Sequence, residues 1–184
     1  MKELSLNILD IAENSLKAGA LLTKIEIAED ETTLSLTITD DGTGMSEEIL
    51  KSVENPFYTT RTTRKVGMGI PLLKLEAEQT GGSFKISSNY IETDPVNHGT
   101  QVCAVFYKKH IDFTPLGDVA STLITLIQGH PNRDFLYNHT YKNKSVVLDT
   151  REIKSQIEEI PINTFEVLEW IKQFVEEQYS VLYK

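Results

Sequence analysis

The 184-residue sequence contains a single cysteine, Cys103, so an internal disulfide is excluded and a reducing cytoplasm is the expected compartment. It also lacks an apolar run long enough to span a membrane, and we therefore expect a soluble protein. Positive charge is scarce: 18 lysines and arginines accompany 27 aspartates and glutamates, for a formal net charge of -9. This balance argues against a general nucleic-acid-binding surface.

Two common nucleotide-binding motifs are missing. The sequence has no G-x-x-x-x-G-K-[ST] stretch, so a Walker-type phosphate loop is excluded. The pair Gly67-x-Gly69 lacks a third glycine at the spacing of dinucleotide-binding folds, and no βαβ pattern surrounds it. A nucleotide-binding site in this chain would therefore have to be formed by other motifs.

The N-terminal segment has the pattern of an amphipathic helix. Its apolar positions recur at helical spacing at Leu4, Ile8, Ile11 and Ala12. Asp10 and Asn14 are four residues apart and Lys17 follows three residues later, so the three side chains project from one side. Because magnesium takes only one or two protein oxygens and fills its shell with water and phosphate, this side suits a hydrated Mg²⁺ and a phosphate chain. A solvated polar face is the alternative.

The remaining periodicity predicts an α+β fold. Apolar alternation predicts strands at 24–28, 33–39, 83–88 and 99–107, with helices at 46–52 and from Gly67–Ile70 to about Thr80. This order gives a mixed sheet with helices on one face. Beyond it, the patterns indicate a helix at 116–128, a hairpin over 134–149 and helices at 151–159 and 163–179. We expect a domain of residues 1–108 and a small C-terminal α/β extension of residues 109–184.

Four short motifs occur in order: Asp10-x-x-x-Asn14, Asp40-x-Gly42-x-Gly44, Gly67-x-Gly69 and Gly99-Thr100. Each is weak alone, since a tight turn or close packing explains any one of them. Together they resemble the GHKL superfamily of ATPases, which includes gyrase-type topoisomerases, Hsp-type chaperones, histidine kinases and MutL. The stretches that carry the resemblance are ILDIAENSLKAGA (N-box), TDDGTGM (G1), ENPFYTTR (the kinase F-box), VGMGIPLL (G2), QTGGSFKISS and HGTQV (G3).

The resemblance covers roughly six-tenths of the chain. It implies a Bergerat-type two-layer α/β sandwich that binds ATP with Mg²⁺. Asn14 would be the metal ligand and Lys17 would approach the phosphates. Asp10 stands where gyrase-like and MutL-like enzymes place a glutamate general base, and its side chain is one methylene shorter. Aspartate would then hydrolyse slowly or serve the metal's water shell.

The same resemblance implies an adenine pocket and a lid. Asp40 would accept a hydrogen bond from the adenine amine, with Thr100 in support. The other residues implied at the nucleotide are Gly42 and Gly44 beside the base, Met45 on the adenine, Gly67, Met68 and Gly69 at the phosphates, and Phe57 and Arg61 in the lid. For Met45 a core position is the alternative, and for the cations Arg61, Arg64 and Lys65 a solvated basic loop.

The resemblance implies a regulatory protein kinase that phosphorylates a partner protein. Two alternatives stay open: a slow ATPase that acts as a conformational switch, and an ATP-sensing module without turnover. A partner protein is expected, nucleic acid and membrane are not, and a homodimer is left open. The histidines have neither a phosphoacceptor context nor metal-ligand spacing, so we expect structural or surface roles for His98, His110, His130 and His139.

Overall fold

The structure is a computed structural model that describes residues 3–53 and 69–184. Its elements, in chain order, are α1 (Leu4–Lys17), β1 (Leu22–Glu29), β2 (Thr33–Asp40), α2 (Glu47–Val53), α3 (Gly69–Gln79), β3 (Ser83–Asn89), β4 (Gly99–Tyr107), α4 (Val119–Gly129), β5 (Asp134–Tyr141), β6 (Lys144–Asp149), α5 (Thr150–Ile157) and α6 (Phe165–Leu182). The predictions for Phe57, Arg61, Gly67 and Met68 lie outside the described residues. Within the described ranges, no helix combines the length and apolarity needed to cross a membrane.

The strands form one six-stranded mixed sheet in the order β3-β4-β2-β1-β5-β6. All neighbours are antiparallel except β1 and β5, which are parallel. In this register Asp40, the last residue of β2, lies between Thr23 of β1 and Thr100 of β4. The topology therefore brings the second and fourth sequence motifs to the same end of the sheet.

Strict alternation gives the sheet one apolar face. On β2, for example, Leu34, Leu36 and Ile38 are each about 1% exposed, and the residues between them are only partly buried. Helices α1, α3, α4 and α6 add their own apolar stripes to the same core. Burying one such aliphatic side chain stabilises the fold by roughly 1.5–3 kcal/mol, which offsets the entropy cost of ordering the chain. The predicted α+β class with a mixed sheet is confirmed.

The C-terminal region extends this same sheet. The predicted hairpin is present as β5 and β6, and β5 pairs with β1 along its whole length, from Leu22 opposite Asp134 to Glu29 opposite Tyr141. The final helix begins at Phe165 and packs on the apolar face. A division of the chain at residue 108 stays a prediction, because strands from both sides of that position share the sheet.

A polar cluster joins α6 to the far end of β1. The fully buried His139 directs Nε2 at Oε2 of Glu29, 2.9 Å away, and Nδ1 at the hydroxyl of Tyr179, 3.0 Å away. Tyr183 donates to the same Glu29 oxygen at 2.9 Å, and Lys108 lies 2.5 Å from the other. Burial alone would raise the pKa of Glu29, but the donors outweigh it and lower the pKa to about 2. A charged Glu29 therefore anchors the C-terminal helix.

Candidate functional site

The polar side of α1 forms one wall of the candidate site. Asp10 and Lys17 are exposed and Asn14 is partly buried, while the opposite side of the helix is buried in the core. Among the described residues, none of these three side chains has a hydrogen-bond or ion-pair partner. Their carboxylate, amide oxygen and ammonium groups are thus available to a ligand.

The first residue of α3 lies directly against this wall. A Cβ placed on Gly69 would be 3.0 Å from the Cβ of Asp10, so only a glycine fits there without displacing a neighbour. The close approach brings the N-terminal end of α3, where the first backbone N–H groups of a helix point outward, beside α1. The first and third sequence motifs are therefore in contact.

A buried polar bridge sets the spacing of these two helices. The side chain of Asn7 is fully buried, and its Nδ2 donates to Oε2 of Glu76 at 2.5 Å. Asn7 lies one turn before Asp10 on α1, and Glu76 lies two turns after Gly69 on α3, so the helices run antiparallel here. Neither residue was predicted to have a role, because a pair so distant in sequence has no local signal.

Asp40 occupies the end of β2 with both carboxylate oxygens fixed. Ser15, which is 3% exposed, donates to Oδ2 at 2.7 Å, and the amide of Gly42 donates to Oδ1 at 2.9 Å. Burial raises the pKa of Asp40, and these hydrogen bonds offset only part of the effect. Because Ser15 follows Asn14 directly on α1, this contact joins the acidic end of the sheet to the polar wall of the helix.

Two positions beside Asp40, one in the loop after β2 and one at the start of β4, require glycine because of the backbone. Gly99 has a φ of +135°, and a Cβ there would lie 2.0 Å from the carbonyl oxygen of Asp40. Gly44 has a φ of +67°, and its Cβ would lie 1.9 Å from the carbonyl oxygen of Asn89. Both contacts are too close for any side chain. The loop after β2 therefore packs backbone to backbone against the ends of β3 and β4.

The side chain of Ser88 connects the three backbone segments that pack together here. Its hydroxyl accepts from the amide of Met45 at 2.8 Å and donates to the carbonyl of Gly99 at 2.9 Å. It also lies 2.9 Å from Oγ1 of Thr100. The hydroxyl of Thr100 is thus engaged with Ser88, and the Met45 side chain is partly buried against the core.

His98 and Ala18 hold the same loop from the other side. Nδ1 of His98 lies 2.6 Å from the carbonyl oxygen of Gly42, and a Cβ on Gly42 would be 3.0 Å from the Cβ of Ala18. The amide of Thr43 donates to the carbonyl of Ala18 at 2.9 Å. The structural or surface role predicted for His98 is thus a structural one, whereas no role was predicted for Ser15 or Ser88. Only the position of Ser15 next to Asn14 could have drawn attention to it.

The described residues of all four motifs therefore line one region. Asp10 and Gly69 meet where α1 and α3 approach, and Ser15, the residue after Asn14, joins α1 to Asp40. This arrangement offers a fixed hydrogen-bond acceptor in Asp40, an oxygen ligand in Asn14, a cation in Lys17 and backbone donors at the start of α3.

A family model described as histidine kinase-, DNA gyrase B-, and HSP90-like ATPase matches residues 1–110 of this chain. Sporulation kinase C of Bacillus subtilis (strain 168) is 28% identical over 88 residues, which are 48% of this chain and 20% of that kinase. The chain thus covers about a fifth of the length of this curated relative.

Two solved structures resemble the fold. The MutL ATPase domain of Aquifex aeolicus, complexed with ADP, gives a TM-score of 0.54 at 16% identity, covering 86% of this chain and 68% of that one. The N-terminal domain of a DNA repair protein gives a TM-score of 0.53 at 16% identity, covering 81% and 53% respectively. At this identity the likeness concerns the fold, and it extends into the C-terminal region.

Proposed function

Since the chain belongs to the histidine kinase-, DNA gyrase B- and HSP90-like ATPase family, with an ATP-binding domain of the histidine kinase and MutL type, we propose that it is a magnesium-dependent regulatory protein kinase acting on a partner protein. One observation carries the proposal most. Helix α1 presents the Asn14 side chain with no partner among residues 3–53 and 69–184, and the same helix fixes Asp40 through Ser15.

Asp40 is proposed to select adenine. A carboxylate accepts a hydrogen bond from an exocyclic amine, which adenine has at the position where guanine has a carbonyl. Ser15 and Gly42 hold the carboxylate in place, and the partial burial of Asp40 strengthens its hydrogen bonds. Gly42 and Gly44 would let the loop backbone lie along the base. Thr100 would act on this pocket through Ser88, and Met45 would close its apolar side.

Asn14 and Lys17 are proposed to hold the metal and the phosphates. The fit is chemical: magnesium prefers a few oxygen ligands, and the amide of Asn14 has no competing partner among the described residues. Lys17 supplies a compact positive charge three residues further along the same side of α1. Gly69 would direct the first N–H groups of α3 at a phosphate. Phe57, Arg61, Gly67 and Met68 keep their proposed lid and phosphate roles.

Bound Mg·ATP would supply a phosphoryl group that either a protein side chain or water can accept. In this proposal, the position and length of the Asp10 side chain determine whether water or a protein side chain accepts the phosphoryl group. It is exposed beside Gly69, so it could orient water or a metal-bound water. Its short side chain favours slow hydrolysis, which leaves transfer to a partner as the main reaction.

Incubation with γ-labelled ATP and fractionated cell extract tests transfer. We expect label on one partner protein, dependent on Mg²⁺ and absent with Asn14→Ala. Absence of a labelled protein from every fraction, while the wild type still binds ATP, would contradict the kinase proposal.

The same preparation separates the two alternatives. Phosphate release without a partner that falls sharply in Asp10→Asn would instead support the ATPase switch. Tight ATP binding with neither release nor transfer would support the sensing module.

A further inference from the structure

Helix α6 has an apolar outer face in addition to its buried one. The inner stripe consists of Leu168, Ile171, Val175 and Leu182, each at most 7% exposed. On the outer side Trp170, Phe174 and Val181 are 50%, 37% and 51% exposed. Their spacing of four and seven residues places them on one side of the helix. Large apolar side chains in a row on the solvent side have no part in the core, and such stripes mark interaction surfaces.

The two aromatic rings of this stripe form a stacked pair. Trp170 and Phe174 stack with their ring centroids 5.3 Å apart and their planes 11° from parallel. Because each ring has only two rotatable bonds and is already held by the other, binding to it loses little side-chain entropy. Trp170 lies in a shallow, open depression lined by Glu166, Glu169, Lys172, Gln173 and Glu176 of the same helix.

The border of the stripe is acidic. Between Glu158 and Tyr183 the sequence has one cation, Lys172, and six glutamates: Glu158, Glu159, Glu166, Glu169, Glu176 and Glu177. All six are exposed. None of them takes part in an ion pair within residues 3–53 and 69–184. The carboxylates beside Trp170, those of Glu166, Glu169 and Glu176, therefore outnumber the one lysine among them, Lys172, while Lys144 lies 3.1 Å from the carbonyl oxygen of Val181.

We propose that this outer face of α6 binds a basic, amphipathic segment of a partner protein. Apolar side chains of the segment would cover Trp170, Phe174 and Val181, and its lysines or arginines would meet the glutamates and the face of the indole ring. Charge complementarity favours a basic segment over the other possible ligands of this face. Nucleic acid would be repelled by the carboxylates, and a second copy would place the same carboxylates opposite one another across a two-fold axis. The inference does not depend on nucleotide binding.

The chain contains one tryptophan, so Trp170 fluorescence reports directly on this face. The probe is a short synthetic peptide of leucine and lysine, compared with the same peptide carrying glutamate for lysine and with an oligolysine peptide. We expect saturable binding of the first with a blue shift of the emission, no binding of the second and about tenfold weaker binding of the third.

Two double variants with the same change of net charge supply the control. Glu166→Lys with Glu169→Lys should weaken binding about tenfold, whereas Glu47→Lys with Glu48→Lys on α2 should leave it within about twofold. All four positions are exposed, so folding should be retained and is checked by circular dichroism.

Equal losses of peptide affinity in both double variants would show that the peptide binds by non-specific charge attraction, and would overturn the proposal. So would absence of binding, or a blue shift that appears without peptide as the protein is concentrated. The last result, accompanied by dimerisation in size-exclusion chromatography, would identify a second copy as the occupant.

Discussion

Replacing Glu29 with glutamine removes the charge at the centre of the cluster that anchors α6. His139, Lys108 and Tyr183 all direct donors at this carboxylate, whose side chain is 7% exposed. Glutamine keeps one acceptor oxygen and the shape of the side chain. The variant therefore isolates the contribution of the charge from that of packing.

The expected loss of stability in Glu29→Gln follows from the pKa of Glu29. Lowering the pKa from 4.5 to about 2 corresponds to roughly 3 kcal/mol of preference for the charged form in the folded state. Solvent reaches the Lys108 side chain, which is 21% exposed, and screening there reduces the expected loss to about 2 kcal/mol at pH 7. Since the folded pKa lies below the unfolded one, this stability is present above about pH 4.5 and is lost as the pH falls towards 2.

Urea unfolding followed by circular dichroism measures the difference between wild type and Glu29→Gln. We expect about 2 kcal/mol at pH 7 and less than about half of that at pH 3. Glu31→Gln is the matched control, because Glu31 also pairs with a lysine, Lys142, at 3.0 Å but is 73% exposed. Its unfolding curve should coincide with that of wild type at pH 7. A Glu29→Gln difference that is absent at pH 7, or unchanged at pH 3, would refute the anchoring role of the charge.

Three further predictions concern the nucleotide region. Gly99→Ala should lower the free energy of unfolding by about 3 kcal/mol in urea titrations, because its φ is +135° and the added Cβ meets the Asp40 carbonyl; a loss below about 1 kcal/mol would contradict this. Ser15→Ala removes a donor to the Asp40 carboxylate, so the pKa of Asp40 should rise further. As the pH is lowered, the affinity for ATP should therefore begin to fall at a higher pH in Ser15→Ala than in the wild type. Coincident pH profiles would show that Ser15 does not control the protonation of Asp40. Asp40→Asn should weaken ATP binding and let GTP compete with ATP, which it does not do in the wild type; an unchanged preference for ATP in competition binding would remove the role of Asp40 in base selection.

Local patterns predicted much of the fold. The α1 stripe, the β1–β2 hairpin and the β5–β6 hairpin follow from apolar periodicity, which depends on residues close in sequence. The parallel pairing of β1 with β5 was not predicted. It joins segments far apart in the chain, and a strand's own pattern does not identify such a partner.

Motif order likewise predicted the region of the candidate site better than its internal contacts. Asp10 and Asn14 were found from helical spacing, and Asp40 from its glycine loop. The supporting contacts of Ser15 and Ser88 were missed, because a serine in a helix or strand has no distinctive pattern and its partner is set by tertiary packing. The bridge from Asn7 to Glu76 was missed for the same reason.

Isothermal titration of ATP into the wild-type protein and Asn14→Ala, each with Mg²⁺ and with EDTA, tests the central claim most directly. Asn14 has no partner among the described residues, so its replacement should leave the fold intact. We predict binding of ATP to the wild type that requires Mg²⁺, is not shared by GTP and is lost in Asn14→Ala. Equal heats with and without Mg²⁺, or unchanged binding by a folded Asn14→Ala, would contradict a metal and phosphate wall on α1.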